Sequence, residues 1–277
     1  MVWRAARAAD IPPVERLLRQ HLQSSMFLLG NLKDPGNGQA MDLWVRDDLS
    51  GVFGLTEAGM VLMQAPQARA EDWQEASALL AGRSIAGCAG DTAQLRAFLA
   101  ASDLVSRPTR LDEDEPGFSL DLDQLELPKA EQAALIPLAA APRDLVLDWR
   151  AAYHREVLGT GADVSEEQAA QDIAGYLDRD SHRVLVIAGQ PVAMTGFNAQ
   201  IPEVVQIGGV YTPPDLRGRG VARLAVALHL DEARKAGAQR AVLFAASPAA
   251  ARAYEAIGFR PAGSFSLVLF APEQEVP

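Results

Sequence analysis

Two consecutive prolines, Pro213 and Pro214, most constrain how this chain can fold. Before them runs Val204–Tyr211, an apolar stretch rich in β-branched residues. Proline has no N–H to give a sheet ladder, so the strand must stop at Thr212. After them the segment Arg217-Gly-Arg-Gly-Val-Ala222 opens an amphipathic run to Ala236, closed by Gly237. This is a strand, a Pro-bounded turn and a long helix, which is the frame of an α/β crossover.

The rest of the second half fills in around that frame. Arg143–Leu158 reads as a helix, and Ser165-Glu-Glu-Gln168 as a capping box opening a second helix to Asp178. Val184–Ala188 and Val192–Phe197, joined by Gly189-Gln190, read as a hairpin. Ala241–Ala245 is a strand. Ser247-Pro248 pairs an N-cap with a first-turn proline, Gly258 ends that helix, and Ser264–Phe270 is the last strand. The first half is fainter but similar. Asp10 is read as the cap of a helix with Pro12 and Pro13 in its first turn. Strands follow at Val52–Leu55 and Met60–Gln64, a helix at Asp72–Leu80 and a strand at Ser84–Cys88. Asp91-Thr-Ala-Gln94 opens a helix through Leu99, and Phe118–Leu122 is a strand. The repeated order suggests an internal duplication. Arg107–Pro116 reads as a surface loop, residues 123–142 as the connection between domains, and the polar tail after Phe270 as frayed. We therefore expect domains at 1–128 and 129–277.

Composition narrows the function classes. At 277 residues the chain has room for two domains. Its net charge of −11 disfavours nucleic acid or an anionic membrane as a bulk partner. No apolar run is long enough to span a bilayer, and no apolar leader follows Arg4 and Arg7, so a cytoplasmic location is expected. One cysteine, Cys88, gives no internal disulfide framework; it reads as a small buried hydrophobe. Four scattered histidines show no metal-ligand spacing, and no metal is expected.

The chemistry concentrates at Arg217–Ala222. Glycines let backbone N–H groups converge on an anion, a helix N-terminus adds partial positive charge, and Arg217, Arg219 and Arg223 add full charges. The pattern is neither a P-loop nor a dinucleotide fingerprint. A second motif follows Ser247: Ala250, Tyr254, Glu255, Gly258 and Phe259 stand in the arrangement A-x-x-x-Y-E-x-x-G-F. Together with Arg217-x-x-Gly220-x-Ala222, it makes residues 140–270 resemble the GNAT superfamily of acyl-CoA-dependent N-acyltransferases. The stretch Val210-Tyr-Thr-Pro-Pro214 looks closest to its glycine N-acyltransferase-like branch. One departure stands at Ser247, where the family often has an asparagine that touches pantetheine; serine reaches less far.

The resemblance implies an α/β (α+β) fold with a mixed, mostly antiparallel sheet flanked by helices, here as two tandem GNAT-like domains. It implies acetyl-CoA as co-substrate and direct transfer of its acetyl group to a primary amine of a small molecule or amino acid. The cofactor-binding residues it implies are Arg217, Gly218, Arg219, Gly220, Val221 and Ala222 for the pyrophosphate. Val210, Tyr211 and Thr212 would lie along the pantetheine, with Ser247 beside it. A backbone N–H near Val210 would hold the oxyanion. Tyr254 stands at the family's general-acid position. Glu203 is the candidate base, with Gln206 and Glu156 behind it, and Trp149, Tyr153 and Asn198 are candidates for the acceptor pocket. In the first half Asp91 matches Ser247, but Phe98 stands where Tyr254 would, and the turn after Gln64 has no glycine. That half is expected to be non-catalytic and to brace the active half or close its acceptor cleft. The competing reading is a catalytically silent acyl-CoA-binding sensor or structural module.

Overall fold

The computed structural model describes residues 2–33 and 41–271. In chain order the first ten elements are β1 (Trp3–Ala5), α1 (Ile11–Gln20), α2 (Leu22–Lys33), β2 (Met41–Arg46), β3 (Val52–Thr56), β4 (Met60–Gln64), α3 (Ala70–Leu79), β5 (Gly87–Asp91), α4 (Thr92–Ala100) and β6 (Thr109–Asp121). The next ten are β7 (Ala133–Pro137), α5 (Arg143–Glu156), α6 (Ala162–Asp178), β8 (His182–Ile187), β9 (Gln190–Ile201), β10 (Val204–Tyr211), α7 (Val221–Lys235), β11 (Arg240–Phe244), α8 (Pro248–Glu255) and β12 (Arg260–Phe270). Both sets read β-α-α-β-β-β-α-β-α-β. The duplication suggested by sequence order is therefore a duplication of fold.

Two compact units result: residues up to Pro116 with those from Gly263 onward, and Gly117–Ala262. The first has strand order β1-β2-β3-β4-β5-β12, and the second β7-β8-β9-β10-β11-β6. In each, neighbours run antiparallel except one parallel pair, β4–β5 and β10–β11. Helices α3 and α7 make those two crossovers, because parallel neighbours cannot be joined by a tight turn. The sixth strand of each sheet comes from the other half of the chain. Gly117–Asp121 of β6 pair with β11, and Phe118, Leu120 and Leu122 enter the second core. Phe265–Leu269 of β12 pair with β5, and Val268 and Phe270 enter the first core beside Trp3, Trp73 and Phe98. A boundary drawn after residue 128 follows the chain, whereas the compact units follow the sheets.

Several local expectations change for physical reasons. Arg107–Pro116 is mostly β6 rather than loop; its carboxylates face Arg96, which pairs with Asp112 at 2.6 Å and Asp114 at 2.5 Å. The presumed connection at 123–142 contains β7, an edge strand where the terminal Pro137 is tolerated. Asp10 does not cap α1 with its side chain, because the positions it would reach are Pro12 and Pro13, which have no N–H to donate. Its carboxylate instead accepts from the Arg7 N–H at 2.7 Å and from Arg4 at 2.6 Å. Helix α6 starts at Ala162, so Ser165 lies inside it and donates to the Ala162 carbonyl at 2.9 Å. Asp91 and Ser247 do cap α4 and α8, accepting from Gln94 and Ala250 at 3.2 Å each. The hairpin turn forms at Ala188-Gly189, both at positive φ. The strands β1 and β2 and the helix α2 had no clear sequence signal. The tail beyond Ala271 lies outside the described residues.

Because β6 and the turn after it supply a sixth strand and three core side chains, a fragment of residues 129–277 should show no cooperative urea transition by circular dichroism, whereas 117–277 should regain one. In the full chain Leu122→Ala, at a fully buried position, should cost about 2–5 kcal/mol in the same measurement.

Candidate active site

The site begins where two strands separate. β10 pairs with β11 only over Val204–Gln206 against Arg240–Val242. It runs on to Tyr211 along β9 alone. Between Gly208, opposite Gly196, and Tyr211, opposite Met194, the register shifts, so Gly209 and Val210 bulge. Gly209 has φ +62°, a conformation that glycine adopts without strain. The counterpart in the first unit differs. There β4 stays paired with β5 over Met60–Met63, and the next N–H, of Ala65, donates to the Gln94 side chain at 2.5 Å.

Past the bulge the chain turns through Pro213-Pro214 into α7. Gly218 and Gly220 sit at φ +74° and +75°, and Gly220 is the N-cap with no side-chain cap bond. The first-turn N–H groups of α7 are thus left open, as at any uncapped helix start. A Cβ at Gly218 would meet nothing within 4 Å. Among the described residues Arg219 and Arg223 make no ion pair, although most neighbouring arginines do. The Arg223 guanidinium folds back over Gly220. Arg217 behaves differently: it donates to the Thr212 carbonyl at 2.9 Å and to Glu156 at 2.6 Å, bracing the turn. Val221 and Ala222 supply backbone in the first turn of α7.

The other expected residues fall into three groups. Tyr211 is buried; its hydroxyl donates to Glu156 at 3.3 Å, its ring lies 6.3 Å from Trp149, and burial raises its pKa. Trp149 belongs to the core cluster on the α5/α6 side, and Tyr153 packs beside it beneath Arg150, 4.5 Å from the ring centroid. Thr212 is buried with its hydroxyl unpartnered. Asn198, exposed on β9, lays its amide over Gly208, where any Cβ would collide with it. Tyr254 is buried with Val205 and Ile207 of β10 and Leu243 of β11, on the α7/α8 side, and Val210 packs against this cluster. Ser247 uses its hydroxyl to cap α8. Glu203 is not brought to the bulge. It precedes β10, seven residues from Val210, or roughly 23 Å at about 3.3 Å per residue. Gln206 is buried with its carbonyl oxygen unpartnered.

His182, which sequence reading passed over, stands at the first position of β8, opposite Gly196. The signal that would have found it is Gly196 and Gly209, glycines inside or beside strands, which mark a close approach. The His182 ring is fully buried and uncharged, its pKa pushed well below 6.5 by burial and by Arg150. His229 of α7 stacks on Phe197 at 3.9 Å, and burial lowers its pKa to about 3. Cys88, in the first unit, has its thiol pushed up to about 12 by burial, so it is no nucleophile. Among the described residues no group of three metal-ligating side chains occurs, and no helix is long and apolar enough to cross a membrane.

Residues 144–259 match the model of the acetyltransferase (GNAT) family. This stretch is a GNAT domain. No curated protein sequence matches the chain. Among solved structures, a Drosophila protein has a TM-score of 0.64 at 12% identity, covering 99% of this chain and 99% of that one. A tandem GNAT protein from the clavulanic acid biosynthesis pathway has a TM-score of 0.56 at 16% identity, covering 98% and 99%. A GNAT-family acetyltransferase from Colwellia psychrerythraea has a TM-score of 0.56 at 14% identity, covering 98% and 100%. At these identities the likeness is one of fold. It extends over both units and agrees with the mixed, mostly antiparallel sheet expected for tandem GNAT-like domains.

Two buried histidines of the GNAT domain, His182 and His229, make stability depend on pH. Their folded pKa values lie below the unfolded value near 6.5, so below that pH the unfolded chain binds more protons. Stability should fall as pH drops from 6.5 toward 3, with each histidine contributing about 1.4 kcal/mol per pH unit. Urea titrations between pH 7 and 4.5 should show this slope, reduced in His229→Gln.

Proposed function

We propose that the GNAT domain transfers the acetyl group of acetyl-CoA directly to a primary amine of a small molecule. The observation that carries this reading is the parting of β10 from β11 beside an uncapped α7, with Arg219 and Arg223 free of carboxylates. An extended pantetheine amide can bond to the free edge of β10 at Val210 and Thr212 as an added strand would. Its pyrophosphate then meets the N–H groups of Gly218–Ala222 and the two arginine charges. A backbone N–H at the Gly209–Val210 bulge, where the β9 register is interrupted, suits an oxyanion. Tyr254, among residues that flank the parting strands, is the proton donor to the leaving thiolate. Trp149 and Tyr153 serve the acceptor side as packing around Tyr211, and Asn198 is its exposed polar contact. The first unit has the same fold with its strand gap closed by Gln94 and a phenylalanine, Phe98, in place of the tyrosine; we assign it no chemistry.

Acetyl-CoA at about 100 times its Kd should stabilise the protein by roughly 2.7 kcal/mol in thermal denaturation. Arg219→Glu should abolish the shift. Tyr254→Phe should keep it while lowering kcat about 100-fold. A well-folded protein that shifts with neither acetyl-CoA nor free CoA overturns the proposal and favours a structural module.

A further inference from the structure

His182 is the largest unexplained group near the bulge. Its ring lies over Gly196, where any Cβ would fall 2.1 Å from the imidazole. Its Nε2 lies 2.7 Å from where a Cβ of Gly209 would be. Two glycines on two strands thus make a slot for this one ring. Tyr176 of α6 stacks on it with centroids 3.5 Å apart, and Arg150 in turn covers Tyr176 at 5.4 Å. Nδ1 is 2.9 Å from the Ser181 hydroxyl. Nε2 is buried and has no hydrogen-bond partner among the described residues. Buried polar atoms are normally hydrogen-bonded, so a pinned ring with an open nitrogen points to a ligand that bonds to it.

The slot also has a side. His182 shares its strand face with Val184, which packs on α5 and α6. Tyr254 lies across the sheet, with α7 and α8. An amine attacking a thioester carbonyl and a thiolate leaving it need a proton acceptor and a proton donor at different positions about the carbon. The two side chains lie on opposite faces of the sheet.

Resting on the acetyl-transfer reading, we propose that Nε2 of His182 accepts the proton of the attacking amine. With Nδ1–H donated to Ser181, the Nε2 lone pair faces the bulge. The amine nitrogen bonds to the carbonyl carbon and becomes an ammonium in the tetrahedral adduct. That ammonium loses its proton to Nε2, the C–S bond breaks, and the thiolate takes the Tyr254 proton. The groups around the ring are Arg150 from α5, Tyr176 and Arg179 from α6, Arg183 next to it on β8, and His229 from α7. Burial and the three arginines keep the ring neutral at rest, so the lone pair is available. A ring so weakly basic cannot deprotonate a free alkylammonium. The acceptor must enter as a neutral amine.

Hydroxylamine, small and neutral at pH 7, is the test acceptor, with thiol release from acetyl-CoA as the readout. His182→Ala and His182→Gln should each lower kcat about 100-fold. Both should keep the thermal shift with acetyl-CoA. Added imidazole should restore much of the rate to His182→Ala by entering the slot beside Gly196 and Gly209. His182→Gln tests the proposal if the alanine variant fails to fold, since an amide can hydrogen-bond but cannot take the proton. A folded variant within threefold of the wild-type kcat overturns the role of His182 and leaves acetyl transfer standing. A wild-type rate no faster than acetyl-CoA in buffer overturns both.

Discussion

The site depends on a pairing that stops early. β10 and β11 exchange hydrogen bonds over three residues and then separate, while β10 keeps its antiparallel contact with β9. Backbone polar groups seldom go unpaired, and in the proposed reading the opened strand edge beside a Gly-rich helix start takes an extended, amide-bearing, anionic ligand. The first unit shows the alternative. There the matching strands stay paired, and the Gln94 side chain satisfies the N–H just beyond them. One fold, present twice, is open in one copy and sealed in the other.

Charge at the opening is divided between two tasks. Arg217 is held by Glu156 and the Thr212 carbonyl and fixes the turn. Arg219 and Arg223 stand without carboxylate partners and keep local positive potential in a chain of net charge −11. The same division explains Tyr211. Its hydroxyl joins Glu156, and its ring continues the core formed by Trp149 and Met194, so the turn is anchored to α5 from beneath.

Much of this was legible because local rules carried it. Prolines 213 and 214 ended the strand where expected. Gly220 opened α7, and Ser247 capped α8 through the Ala250 N–H. Where local rules failed, a neighbour had overridden them. Asp10 could not cap a helix whose second and third residues are prolines without an N–H. The acidic stretch around Asp114 became a strand because Arg96 and Ser266 hold its carboxylate and the sheet takes its backbone. Glu203 looked like a base from its place beside a strand, but it stands at the end away from the bulge.

The sequence by itself determined the order of the elements from α5 onward, the Gly-Arg turn at the head of α7 and the tyrosine of α8, since caps, breakers and periodicity act over a few residues. Only the tertiary structure decided which strands meet. Gly117–Asp121 and Phe265–Leu269 complete sheets begun far away in the chain, and no local pattern encodes a partner at that separation. It also decided that His182, Gly196 and Gly209 form one slot. Their residue types are unremarkable along the chain and become specific only when sheet register sets three strands side by side.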